Sequence, residues 1–180
     1  MDIKSRVNIG GVFKYEIVRG TEWDEDGNVI KEGKVIDEWE EHNIMTNEGL
    51  DYVLDVAAVN GTQIATWYVA PFKGNYTPTG SETGASVATD STEATEYSEV
   101  VRQTYVPSAV SGQSTDNTAS KASFTINGTV SIYGAFLSGD SAKSGTGSKC
   151  LCISRFPAKR DLIATDILNV TYTLSAQDVV

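Results

Sequence analysis

The sequence predicts a mainly β protein, an antiparallel β-sandwich carrying one short α-helix and an N-terminal β-ribbon. Three observations predict it. The last third of the chain is a series of short runs with period-two alternation, separated by turn residues at the spacing of all-β domains. Serine and threonine make up 36 of the 180 residues, which suits pleated faces and turns. Only one stretch has a helical period.

The elements follow in chain order. Phe13, Tyr15 and Ile17 alternate with Lys14, Glu16 and Val18, Asp26-Gly27-Asn28 supplies a turn, and Val29-Ile30 opens a return run that resumes at Val35-Ile36-Asp37-Glu38-Trp39. This defines an acidic N-terminal ribbon, residues 1–43, expected to stand as an arm on a sandwich body of residues 44–180. A helix is expected near 47–59, with Thr46 or Asn47 as N-cap and Leu50, Val53, Leu54, Ala57 and Ala58 as its apolar stripe. Asn60-Gly61 is its left-handed stop. Ala65 to Ala70 reads as a buried strand closed by Pro71. Residues 74–94 are rich in Ser, Thr, Gly and Ala without an apolar period, so they read as a long loop of the kind that makes contacts. Tyr97 to Val106 resumes a β pattern, and Ser108 to Lys121 is polar again. Four further runs complete the body: Ala122 to Asn127 with Phe124 and Ile126 on one face, Val130 to Leu137, Lys149 to Phe156, and Ile167 to Leu174. About eight such strands suit jelly-roll-like closure.

Charge and composition restrict function. Twenty-four acidic against 14 basic residues give a net charge of -10, leaving no bulk positive field for a phosphate backbone. Nucleic acid is therefore not an expected partner. Thirteen acidic and four basic residues lie between Lys14 and Asp55, so most of the negative charge is local to the ribbon and helix. No run approaches the roughly 18 apolar residues of a membrane span, so no membrane partner is expected. The first residues lack the apolar core of a secretion signal, which predicts synthesis in the cytosol.

Chemistry-bearing residues are sparse. His42 is the single histidine, and there is neither a serine-nucleophile elbow nor a phosphate-binding glycine loop. Asp37, Glu38 and Glu40 are the carboxylates that a hydrolase would use, but no pattern supports that role. Cys150 and Cys152 stand two apart in a strand-like run, which places them on one face about 6.6 Å apart with parallel side chains. They read as buried, inert thiols, two ligands short of a zinc site. Asp24-Glu25-Asp26-Gly27-Asn28 has its glycine at position four of the run, where a calcium loop needs it at six, and reads as a hairpin tip. No cofactor, metal or catalytic residue is expected. Trp23 and Trp39 on the ribbon and Tyr76 in the long loop are the large aromatics expected at interfaces.

The stretch Glu41-His42-Asn43-Ile44-Met45-Thr46-Asn47-Glu48-Gly49-Leu50-Asp51-Tyr52-Val53-Leu54-Asp55-Val56, followed by Trp67 to Pro78, resembles a family of small structural proteins encoded by tailed bacteriophages. Tyr133-Gly134-Ala135-Phe136-Leu137, Arg155-Phe156 and Asp166 to Tyr172 agree with it, and the likeness runs from about residue 30 onward. The resemblance implies a virion structural protein and no enzyme. It points first to a head decoration (cement) protein on the capsid surface, with the major capsid protein and its own copies as partners. The other role it implies is a tail, baseplate or fibre-associated protein whose Ser/Thr/Gly loops and aromatics could hold a host glycan.

Overall fold

The computed structural model describes residues 6–179. Twelve strands form two five-stranded antiparallel sheets and a small hairpin. They are β1 (Arg6–Arg19), β2 (Glu22–Trp23), β3 (Val29–Lys31), β4 (Lys34–His42), β5 (Ile44–Met45), β6 (Trp67–Phe72), β7 (Gln103–Tyr105), β8 (Ser114–Asp116), β9 (Ala122–Thr125), β10 (Val130–Ser138), β11 (Cys150–Leu162) and β12 (Ile167–Val179). The first sheet runs β4-β1-β12, with β8 and β9 both bonded to the far side of β12. The second runs β5-β11-β10-β6-β7. The β2–β3 hairpin interrupts the turn between β1 and β4.

The sequence alternation becomes packing between the sheets. Phe13, Tyr15 and Ile17 of β1 face inward beside Phe124, Leu168, Val170 and Tyr172, and meet Ile132, Leu137, Cys152 and Phe156 of the second sheet. Phe13 and Tyr172 lie 4.4 Å apart, and Phe156 meets Tyr15 edge-on at 4.5 Å. Each such aromatic removes well over 100 Å² from water, which makes this layer the main source of stability.

The expected boundary at residue 43 does not divide the molecule. β1 is an interior strand, in register with β12 from Arg6↔Val179 to Val18↔Ile167, and its inward side chains are fully or almost fully buried. A strand with Phe, Tyr and Ile on one face needs a second sheet beneath it, and the C-terminal strand supplies its hydrogen-bonding partner. Only the β2–β3 hairpin and the outer part of β4 are left as a ribbon.

A second apolar cluster lies on the opposite face of the second sheet. It joins Ala70, Phe72, Phe136, Cys150 and Ile153 to Val87 and Ala88 of α2 (Val87–Asp90), inside the long segment 74–102. That segment, whose residues 74–94 read from sequence as a contact loop, is a third layer covering the sheet. Burial on both faces explains why Val69 to Phe72, Gly134 to Ser138 and Cys150 to Ser154 are continuously buried. Pro71 is accommodated because β7 pairs only with Trp67, Tyr68 and Val69, and beyond them the Pro71 carbonyl accepts from Ala94 N. The β pattern expected over Tyr97–Val106 shrinks to β7, since residues 97–102 bend to bury Tyr97 and Arg102 and leave Val100 89% exposed.

The helix is α1 (Asn47–Leu54), capped by Thr46 Oγ1, which accepts from Gly49 N at 2.8 Å, and continued by a π-helical turn over Asp55–Val59. Its phase differs from the expected stripe. Gly49 and Tyr52 are buried and Val53 and Val56 partly so, whereas Leu50, Leu54, Ala57 and Ala58 face solvent. Gly49 decides the phase, because only a glycine lets the helix lie directly on the β11 backbone at Leu151.

Candidate functional site

The three aromatics expected at interfaces lie in different settings. Trp39 stands opposite Tyr15 in the β1–β4 register. Their rings stack at 5.2 Å, Phe156 meets Trp39 edge-on at 5.0 Å, and the Arg160 guanidinium lies 4.6 Å from its centre. Arg160 also reaches Asp37 at 3.0 Å. Trp39 therefore closes the open side of the sandwich between β4 and β11, and only part of its surface meets water. Trp23 is half-buried in the β2–β3 hairpin, opposite Val29.

That hairpin folds around Asp24. Its carboxylate accepts from Asp26 N at 3.0 Å, Asn28 N at 2.8 Å and the Asn28 amide, and these bonds hold it below the usual carboxylate range. Gly27 takes the positive φ of +82° that the turn requires. The run that resembled a calcium loop is thus a turn using Asp24 as its own acceptor. Among the described residues no group of three His, Cys, Asp or Glu side chains is placed to hold a metal ion.

Tyr76 lies half-buried against the second apolar cluster. Its hydroxyl donates to Glu82 Oε1 at 2.7 Å, and Thr79 N and Gly80 N donate to the same carboxylate at 2.7 and 2.8 Å. Burial pushes the Tyr76 hydroxyl up to about 12, aided by the neighbouring Glu82 charge. Burial works against the Glu82 carboxylate, but the bonds from Thr79, Tyr76 and Gly80 outweigh it and lower its pKa. The arrangement locks the loop onto the sheet.

Sequence reasoning missed Arg102, whose guanidinium is fully buried. It donates to Glu93 at 2.6 and 3.0 Å, to Ser138 Oγ at 3.1 Å and to the carbonyls of Asp140 and Gly145 at 2.9 and 3.0 Å. Its place between the exposed Val101 and the half-buried Gln103 gives no pattern that marks it. The 140–148 turn is tied down by this residue and by Ser144 N donating to Glu93 at 2.9 Å.

The two cysteines are free and buried, but they do not share a face. Leu137 pairs with Cys152 and Ser138 with Cys150, so Leu151 is an extra residue that reverses the alternation. Cys152 enters the layer between the sheets, and Cys150 the outer cluster. His42 is exposed at the end of β4. The carboxylates Asp37 and Glu38 lie on opposite faces of β4, held by Arg160 and Lys14 respectively, so they do not converge as a catalytic pair.

Two surface features remain open. An apolar cleft of about 340 Å³ lies among Ile9, Val53, Val110, Leu174 and Ala176. On the ribbon, Val29, Ile30, Val35 and Ile36 are 48–64% exposed, amid nine acidic and two basic residues between Glu22 and Glu41. No helix among the described residues is long and apolar enough to cross a membrane. No protein-family model matches the chain, and neither a characterised protein nor a solved structure matches it significantly.

Proposed function

We propose that this chain is a virion structural protein of a tailed bacteriophage, a capsid decoration protein that adds to the head surface and bridges neighbouring major capsid subunits. The observation that carries the reading is the exposed apolar ribbon on a tightly packed body. Val29, Ile30, Val35 and Ile36 are a surface that a partner would cover, and the body behind them is a rigid mount. The sequence likeness to small phage structural proteins supports the same reading.

The physical role follows from linkage. Packed DNA loads a shell from within, and a protein that binds only the assembled, expanded shell stabilises that state by its binding free energy. Standard interfaces bury about 1,600 Å² in total, an amount that a ribbon plus one face of the body can supply. The net charge of -10 keeps copies apart in the host cytoplasm before assembly and complements basic patches on a shell. Self-association on the particle completes the lattice of contacts.

Cryo-electron microscopy of the intact particle tests this. Many copies over the head surface, and a higher melting temperature of empty expanded shells on adding the purified protein, are the expected results. A few copies confined to the tail or fibres would replace the decoration role with the tail-associated one.

A further inference from the structure

β4 is an edge strand, bonded to β1 on one side only. Asn43 N donates to Gly11 O at 3.1 Å, one step beyond the Val12↔His42 pair, which fixes the parity of the ladder. Asp37, Trp39 and Glu41 therefore turn their N–H and C=O groups toward β1, and Glu38, Glu40 and His42 turn theirs outward. The outward His42 carbonyl accepts from Ser154 Oγ at 3.3 Å. The N–H and C=O groups of Glu38 and Glu40 have no backbone partner among the described residues.

The side chains along this open stretch choose what can complete it. Glu38 and Glu40 project from the outer face of the sheet and are exposed. Glu38 is shared with Lys14 at 2.9 Å, while no cation stands within ion-pair distance of Glu40 or Glu41 among the described residues. A second copy pairing edge to edge would bring these carboxylates opposite one another at about 5 Å, which is destabilising. Inward-pointing Asp37 and the unopposed Ile36 in the β1–β4 ladder blunt the edge against indiscriminate pairing in the same way.

We propose that the β4 edge is a docking site for an extended segment of a partner protein carrying Lys or Arg at alternate positions. Backbone groups of Glu38 and Glu40 supply the ladder bonds, and the partner's cations lie beside their carboxylates on the outer face. Val35 and Ile36, 53% and 50% exposed, extend the contact toward the hairpin with apolar surface. The β4 edge offers these groups whether the protein sits on a head, on a tail or elsewhere.

The test uses the full chain and a synthetic peptide, acetyl-Thr-Lys-Val-Lys-Val-Lys-Thr-amide, at concentrations up to millimolar, followed by amide NMR. Two control peptides carry proline for the central lysine or glutamate for every lysine. The lysine peptide is expected to shift the amides of Glu38 and Glu40 and slow their hydrogen exchange. Replacement of both acids, Glu38→Lys with Glu40→Lys, is expected to weaken binding by about tenfold or more, while Asp51→Lys leaves it unchanged. Should the double variant fail to fold, the control peptides decide. Equal binding of the proline peptide, shifts confined to other strands, no binding of the lysine peptide, or a free protein already dimeric with those two amides protected would each overturn the proposal.

Discussion

Arg102 and Glu93 form a two-pronged ion pair with both side chains entirely out of water. A charge taken out of water is costly unless its partners stay in place, so the loss from breaking such a pair is far larger than the net gain from making it. Arg102→Met leaves the Glu93 carboxylate buried beside Ser144 N alone and frees the Asp140 and Gly145 carbonyls. The expected cost is about 3–5 kcal/mol in urea unfolding. Arg102→Met combined with Glu93→Leu is expected to cost less than the two single changes summed, and in both Arg102 variants the amides of residues 140–148 exchange faster.

The Glu82 carboxylate gives the stability a defined acid limb. Its folded pKa lies below the ordinary 4.5, so its contribution is fully present above pH 4.5 and is lost as pH falls through the lower folded value. Glu82→Gln keeps the shape but offers one acceptor oxygen where the carboxylate offers two, so the bonds from Tyr76, Thr79 and Gly80 cannot all be kept. At pH 7 the variant is expected to be less stable by about 1–3 kcal/mol, and the gap narrows toward pH 3. Urea midpoints of the two proteins at both pH values check the sign. A gap that widens on acidification contradicts it.

What the sequence discloses and what it hides divide along physical lines. Alternation is a local signal, and it correctly exposes Phe13, Tyr15 and Ile17 as one face and Phe124 with Ile126 as another. It carries no record of partners far away in the chain, so the pairing of β1 with β12 and its place inside the body stay hidden. The cover over residues 74–102 is hidden for a related reason: a polar loop buries Val87 and Ala88 only because a sheet with two apolar faces lies beneath it. Arg102 is hidden because a buried cation depends on four acceptors that the fold brings together from other segments. The interface aromatics show the same limit, since Trp39 and Tyr76 carry intramolecular contacts that no sequence pattern distinguishes from surface anchors.

The helix phase yields a test that separates the two readings of α1. A Cβ at Gly49 would lie 2.1 Å from the Leu151 carbonyl oxygen and 2.9 Å from Leu151 Cα, both parts of the β11 backbone. In an exposed helix Gly→Ala stabilises by roughly 1 kcal/mol, but here the clash outweighs propensity. Gly49→Ala is expected to destabilise by about 1–3 kcal/mol as the helix is forced off the strand. Leu54→Ala, at a side chain 60% exposed, is expected to stay within about 0.5 kcal/mol. A reversed order in thermal melts would restore the Leu50–Leu54 face as the packed one.

The bulge at Leu151 governs the chemistry of the cysteines. Burial pushes the Cys152 thiol up to about 12 and the Cys150 thiol well above its ordinary value, so neither supplies thiolate at neutral pH. The bulge also sends them to opposite faces of β11, which prevents a disulfide between them without unfolding the strand. Both thiols in the native protein are expected to resist an aromatic disulfide reagent, reacting only at the rate of unfolding. In urea two equivalents should react at once. A fast-reacting thiol in the native state, or an internal disulfide found by mass spectrometry after mild oxidation of folded protein, would contradict the placement of Leu151 as the extra residue and return the two cysteines to a single face.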